Sequence, residues 1–480
     1  MMVDLNLNHS RALDVHIWSD HPELNLLVNE LWSAYFSDDL AINKKRGPKP
    51  KAAKKTHLKT LLLDLYVCWL SDHTMYLAVH MSKSGWKANS RYNALHLSSK
   101  MIEVIKLLVE LDFLEFHKGY EGRLSRIRPH ERLLLLFSSI NLPLSAVSFH
   151  QSKEVLEFRG DSGSDKSSVK PKLEYQSTDK TVKMRSLLLE YNKLLARSHL
   201  DVCSLENPYL DRTIKKGKRI GETVRVHIDH RNIFVKRVFN NSSWELGGRF
   251  YGGWWQQIDK DLRTDIMINN KPTLEVDYKA MHVALLLSEI GAGHDYDPYC
   301  LNKSVFLQSN SFDQRAAVKQ LVLMAINAGD KKTAFSAFRS DQPKGHLFKK
   351  LTNVELSQLL DAFIEQYPKL EPYLCTGKGL ELMYTDSCIA EHVMGHFIKM
   401  GVPILCVHDS FVVPYDQVLE LRATMVEAGN LYANRFLFHD KNGGGFDEWF
   451  AQYENTGDKP AWEPKSVVRC DGYLKRIILK

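Results

Sequence analysis

The sequence predicts an α+β protein built in two parts, and three observations carry that expectation. The chain has 480 residues, more than one compact core holds. Residues 158–180, FRGDSGSDKSSVKPKLEYQSTDK, are polar, Ser-rich and poor in apolar side chains, and so divide it. On both sides, short strand-like runs alternate with longer helical patterns. The expected order is a basic region over 1–157, a linker over 158–180, and a larger domain over 181–480 that carries the chemistry.

Apolar residues make up 44% and charged residues 25%, an ordinary globular balance that excludes a disordered chain. The net charge of +7 permits a polyanionic partner without requiring one. The seven cysteines are odd in number and form no CxxC pair, which argues against a disulfide framework or zinc ribbon and suits a reducing compartment. No apolar run approaches the ~20 residues of a membrane span. The start, MMVDLNLNHSRALD, is unlike a signal peptide. A cytoplasmic protein with no membrane partner is therefore expected.

In the first part, residues 43–59 hold eight Lys or Arg and no acid, and read as a solvated linker or as an arm lying on phosphates. LKTLLLDLYVCWL then reads as a buried helix. SSKMIEVIKLLVELDF, 98–113, opens on Ser N-cap candidates and sets Met101, Ile105, Leu108 and Val109 on one face. LEFHKGYEGRLSRIRP follows as two strands around a Gly-containing turn, with Lys118, Arg123, Arg126 and Arg128 on or near it. A helix followed by a basic hairpin resembles a winged helix-turn-helix, although any small α+β module with an amphipathic helix reads the same way. That resemblance implies that Lys100, Arg123 and Arg126 touch duplex DNA, with a specific site as a candidate partner.

In the second part, three segments belong together. TLEVDYKAMHVALLLSEIG, 273–291, is a strand running into a helix, with Asp277 at the strand's end. DQRAAVKQLVLMAINAG, 313–329, is helical throughout. GVPILCVHDSFVVP, 401–414, reads as a strand, a tight turn at His408-Asp409 and a returning strand. A carboxylate inside an apolar strand costs several kcal/mol unless it is paired. Two of them side by side repel unless divalent cations lie between, and such ions polarise phosphoryl oxygens. Arg315 and Lys319, four residues apart, share a helix face on which two cations grip a triphosphate, and Leu323 and Asn327 continue the stripe.

In this order the segments resemble motifs A, B and C of family A DNA polymerases and of the related single-subunit phage-type RNA polymerases. The matches are DYKAMH at 277–282, DQRAAVK…NAG at 313–329 and VHDS at 407–410. GGRFYGGWWQQIDKDLRTDI, 247–266, stands where that family has a Gly-Arg segment, and DYDPY, 295–299, where it has an acidic–aromatic turn. The resemblance covers about residues 245–415. It implies a right-hand fold: a palm with an antiparallel sheet from 247–289 and 381–480, helical fingers from 290–380, and a reduced thumb from 181–246.

The resemblance also implies that Asp277 and Asp409 hold two Mg²⁺ ions, which Mn²⁺ can replace. Arg315 and Lys319 would hold the triphosphate, with Lys319 also protonating the leaving pyrophosphate. His282, Leu323 and Asn327 would line the nucleotide. Arg249, Tyr251 and His408 would lie at the primer end, and Tyr384 and Ser387 in the minor groove. The implied activity is attack of a primer 3′-hydroxyl on the α-phosphate of a dNTP, directed by a DNA template, as in replication of a mobile element or phage.

Four departures leave the sugar choice open. His282 replaces a Glu, Leu323 an aromatic residue and Asn327-Ala328 a Tyr-Gly pair, while the HDS of motif C matches the RNA polymerases. An RNA polymerase or primase of the same superfamily, and a non-catalytic DNA-binding replication factor with a degenerate palm, are the alternatives. A His-Asp metal phosphohydrolase would set His408-Asp409 on helices, where this sequence has strands. No DxE pattern of a 3′–5′ exonuclease precedes the three motifs.

Overall fold

The computed structural model describes residues 7–36, 55–120, 122–161, 170–214, 221–229, 231–292, 297–305, 313–433 and 467–478, with the backbone of 438–440. Residues 43–54 of the basic segment lie outside them, as do Asp295 and Tyr296 of the acidic–aromatic turn. The chain forms two compact units, Met1–Glu154 and Val155–Lys480. No helix among the described residues is long and apolar enough to cross a membrane.

In the first unit, β1 (Ser10–Ala12), β2 (Ile17–Trp18) and α1 (Pro22–Tyr35) lead to α2 (Lys55–Ser71), which is buried at every position from His57 to Cys68. A helix enclosed on all sides must satisfy its polar groups internally. Asp64 accepts from Arg11 Nη1 (2.9 Å) and from the Asp14 amide (2.7 Å), and Lys59 Nζ sits 4.0 Å from the centre of the Trp18 ring. Then come β3 (Tyr76–Val79), α3 (Lys100–Glu110), β4 (Leu114–His117), β5 (Ser125–Pro129), α4 (Glu131–Ser139) and β6 (Ser148–Phe149). The main sheet has the order β1-β3-β5-β4, with β1 parallel to β3 and the other pairs antiparallel. α3 buries Met101, Val104, Ile105 and Leu108, so Val104 takes the place in the stripe expected for Val109.

The second unit opens with β7 (Leu156–Phe158), α5 (Asp179–Ala196), β8 (Leu200–Val202), and the ribbon of β9 (Tyr209–Thr213) with β10 (Thr223–His227). β11 (Val235–Phe239), β12 (Gly247–Gly252), α6 (Lys260–Arg263), β13 (Ile266–Ile268) and β14 (Lys271–Tyr278) follow. Five helices come next: α7 (Met281–Glu289), α8 (Gln314–Asn327), α9 (Lys331–Ser340), α10 (Asn353–Gln366) and α11 (Gly379–Met400). The order closes with β15 (Leu405–Val407), β16 (Ser410–Pro414), α12 (Val418–Asn430), β17 (Phe438–Asp440) and α13 (Asp471–Ile478). β7 pairs in parallel with β11 in a β12-β11-β7 sheet, so the start of the polar 158–180 segment is sheet rather than connector. The larger sheet runs β15-β16-β14-β13-β8, with β17 also on β14, and all its pairs are antiparallel.

Candidate active site

Asp277 and Asp409 meet at one end of the larger sheet. Asp277 pairs with Ser410 in the β14–β16 ladder, and the Tyr278 amide donates to the Asp409 carbonyl (3.3 Å). The two aspartates therefore occupy neighbouring rungs. Both are half-buried, because the apolar runs around them stop at the sheet's end. Val407 pairs with Ser410, so the turn between β15 and β16 holds only His408 and Asp409, and His408 has φ 60°. A non-glycine residue in that left-handed region costs of order 1 kcal/mol or more, and such positions cluster at functional sites.

The strand leading into this turn is held from outside. β15 is the edge of its sheet, so its outer carbonyls need partners. Ile404 O accepts from the Tyr191 hydroxyl (2.6 Å), and Cys406 O accepts from Trp255 Nε1 (3.0 Å) and Gln256 Nε2 (2.9 Å). The Gln256 amide also bonds Phe250 O (3.1 Å) and the Gly252 amide (3.2 Å) of β12. The GGWWQQ stretch thus clamps β12 to the turn. Beneath the aspartates, Glu275 (1% exposed) accepts from Arg263 Nε (2.9 Å), Arg263 Nη2 (3.2 Å) and the Ser410 hydroxyl (2.7 Å). That carboxylate is neutralised within the protein.

A second charge cluster lies between β12, α7 and α11. Arg249 Nε donates to both carboxylate oxygens of Asp386 (3.1 and 3.0 Å), and Nη2 joins it. His282 Nε2 lies 2.9 Å from Asp386 Oδ2 and 3.0 Å from Arg249 Nη2. Two donors converging on one carboxylate oxygen account for both distances, which puts the proton on Nε2. Burial works against the Arg249 charge, but the hydrogen bonds and charge of Asp386 raise its pKa above the ordinary value. Gly248, at φ 75°, makes the approach of β12 to α11 possible, since a Cβ there would come 2.8 Å from Ser387 Oγ. Ser387 accepts from Arg237 Nη2 (3.0 Å) and donates to Tyr384 O (2.7 Å), and Arg237 also pairs with Glu391 (2.6 Å). Lys180 Nζ stands 5.3 Å from the centre of the Tyr384 ring. His408 packs edge-on against Tyr251 (5.5 Å), and burial followed by the Arg249 charge lowers its pKa below 6.5. Its buried Nδ1 finds no hydrogen-bond partner among the described residues.

The sequence explains how α8 presents its cations. Asp313 caps the helix by accepting from the Ala316 amide (2.9 Å). Ala317, Val318, Leu321, Val322, Ala325 and Ile326 face the core, leaving Arg315, Lys319 and Asn327 exposed and Leu323 half-buried. Arg315 pairs with Asp297, which raises its pKa, while Lys319 has no ion pair or hydrogen bond among the described residues. Asn327 Nδ2 donates to Leu323 O (2.7 Å). Burial and then the Asp297 and Asp409 charges raise the pKa of Tyr299, with Arg315 acting the opposite way. Tyr299 therefore lies within electrostatic reach of the α8 cation and of the β15–β16 turn.

The structure thus gathers Asp277, Asp409, His408, Arg249, Tyr251 and His282 at or near the turn, sets Ser387 and Tyr384 on α11 beside Arg237 and Lys180, and sets Arg315, Lys319, Leu323 and Asn327 along α8. Lys100, Arg123 and Arg126 belong to the other unit. Lys100 pairs with Glu103 (2.6 Å), Arg123 bonds Asn8, and Arg126 donates to Leu7 O (3.0 Å) and Leu124 O (2.6 Å). Sequence reasoning missed Asp386, Glu275, Arg263 and Tyr299. Among the described residues, no three His, Cys, Asp or Glu side chains gather as a metal site. Two half-open carboxylates on neighbouring rungs suit Mg²⁺, which binds through one or two carboxylates together with substrate phosphates.

No protein-family model and no curated protein matches the sequence. Among solved structures, the POL domain of Pol1 from M. smegmatis, in complex with DNA primer-template and dNTP, shares 14% identity at a TM-score of 0.31. The match covers 45% of this chain and 48% of that one, so the chain spans about half its length. A likeness of this size fixes neither fold nor activity.

Proposed function

We propose that the second unit is a nucleotidyltransferase that extends a primer 3′-hydroxyl with dNTPs on a DNA template, in a right-hand arrangement of palm, fingers and reduced thumb. The observation that carries this reading is the placement of Asp277 and Asp409 on neighbouring rungs, together with the α8 cations Arg315 and Lys319 on an open helix face. Asp277 and Asp409 would hold two Mg²⁺ ions, or Mn²⁺ in their place. When bound, those ions offset the repulsion between the carboxylates and polarise phosphoryl oxygens.

The chain's own side chains supply the rest. The exposed ammonium of Lys319 binds the triphosphate and gives a proton to the leaving pyrophosphate. Arg315 exchanges Asp297 for phosphate oxygens, a charge-assisted fork. His408, packed edge-on against Tyr251, would stand at the primer end. Arg249, fixed by Asp386, keeps its charge next to that terminus. His282, Leu323 and Asn327 line the nucleotide, and Tyr384 borders the minor groove from α11. Such transfer depends on positioning and charge neutralisation more than on covalent chemistry. For the first unit we propose a winged-helix-like DNA-binding role. It is supported by α3 leading into the β4–β5 hairpin and by β5 pairing with both β3 and β4.

The test is extension of a labelled primer on a DNA template with Mg²⁺, run with dNTPs and separately with NTPs. The reading expects products with dNTPs and none from Asp409→Ala protein. Extension with NTPs alone would move the assignment to an RNA polymerase or primase. No extension in either lane would leave a non-catalytic DNA-binding factor.

A further inference from the structure

One face of the β12-β11-β7 sheet carries, beyond Arg249 and Tyr251, a cluster of cations that has no role yet in nucleotidyl transfer. Lys236 pairs with Tyr251 and Val238 with Arg249 across β11–β12, while Val238 pairs with Glu157 across β11–β7. Cross-strand partners share a face and side chains alternate along a strand. Arg249, Tyr251, Lys236, Glu157 and, two residues on, Arg159 therefore stand on the same side. Glu157 is 3% exposed, and three cations converge on it: Lys236 (2.6 Å), Lys172 (3.1 Å) and Arg159.

Burial opposes the charge on Glu157, but Lys236, Lys172 and Arg159 together lower its pKa to about 2. At neutral pH three cations then face one carboxylate, leaving two net positive charges. The Lys236, Lys172 and Arg159 side chains are 34%, 49% and 32% exposed, so their remaining donors reach solvent. Lys170, two residues before Lys172, adds a fourth cation, which donates to the neutral Asn241 (2.8 Å). Glu157 acts as a post that orders flexible lysines in advance, which reduces the entropy lost when an anion binds. Tyr251, across from Lys236, touches His408. The cation cluster thus begins one strand away from the residue that packs on the Asp409 turn.

We propose that this face, through Lys236, Lys172 and Arg159, binds the sugar–phosphate backbone of the nucleic acid whose end lies at His408-Asp409. The direction of the strand rests on the nucleotidyl-transfer reading, whereas the phosphate chemistry of the surface does not. The experiment follows binding of fluorescein-labelled primer–template DNA to the full-length protein by anisotropy, at a series of salt concentrations. The variants are Lys172→Glu and Lys236→Gln. Lys303→Glu, an exposed lysine paired with Glu365 elsewhere in the unit, is the control. Each lost phosphate contact should reduce the slope of log K against log salt by about 0.9 and weaken binding about three- to tenfold, with the control unchanged.

Wild-type slope and affinity in both variants, with circular dichroism showing them folded, would overturn the proposal. Because Lys172 is half exposed, its variant keeps the test decisive if Lys236→Gln fails to fold. Primer extension on the same preparations separates the two readings. Slope loss in the variants without extension by wild type removes nucleotidyl transfer and keeps the phosphate surface. Extension by wild type with unaltered slopes in the variants removes the surface alone.

Discussion

Asp386 offers the most demanding check on the site. It is 1% exposed and takes donors from Arg249 Nε (3.0 and 3.1 Å), Arg249 Nη2 and His282 Nε2 (2.9 Å). Asp386→Leu keeps the branched shape with some added bulk, and leaves a guanidinium that is only 16% exposed against an apolar side chain. Removing one partner from a buried pair costs about 3–5 kcal/mol, whereas replacing both by apolar groups is often neutral. The double variant Arg249→Met with Asp386→Leu should recover about 2 kcal/mol relative to the sum of the singles. Recovery stays incomplete, since His282 Nε2 still lacks its acceptor, at about 1–3 kcal/mol. Urea unfolding followed by tryptophan fluorescence measures this, because Trp254 and Trp255 are buried beside β15 and report on the second unit. A loss below about 1 kcal/mol for Asp386→Leu, or strict additivity in the double variant, would refute the assignment of Asp386 as the counter-charge of Arg249.

Arg315→Ala should lower kcat/KM for the nucleotide about a hundredfold in primer extension. It should leave the unfolding free energy within about 0.5 kcal/mol, since its pair with Asp297 is exposed. Gly248→Ala combines φ 75° with a contact of 2.8 Å to Ser387, and should destabilise the second unit by about 1–3 kcal/mol in the same urea experiment. Glu157 has a folded pKa of about 2 against an ordinary 4.5, so the stability it contributes is present above about pH 4.5 and is lost as the pH falls toward 2. The gap in urea midpoint between wild type and Glu157→Gln should accordingly be constant from pH 7 to pH 5 and shrink below it. A gap that widens on acidification would contradict the ion cluster.

The elements bearing Asp277, Asp409 and Arg315 were legible because each is local. Apolar runs bounded by Gly or Pro mark β14 and β16, and the apolar positions of α8 repeat at helical spacing. Their partners are not local. Asp386 stands on the buried stripe of α11, four residues after Leu382 and three before Ile389, and an acid in such a stripe announces a buried counter-charge. Nothing in the spacing says that this charge is Arg249, 137 residues upstream. Asp64 in α2 poses the same problem, and Arg11 answers it from 53 residues away. The apolar surroundings of Asp277 and Asp409 suggested deep burial, whereas both sit half-open where their strands end. The pairing of β7 with β11 joins residues some 80 positions apart in parallel, which no hairpin signal announces.

The turn that carries Asp409 leaves no slack. Two residues separate the paired Val407 and Ser410, β14 lies along β16, and Tyr191, Trp255 and Gln256 occupy the outer edge of β15. One inserted residue would slip the returning strand by a register step and turn every side chain from Ser410 to Pro414 to the opposite face. Among relatives of this chain, gaps should therefore be absent from 404–414. They should gather instead at open loops such as that around Gly345, where even an added Cβ meets no atom within 4 Å.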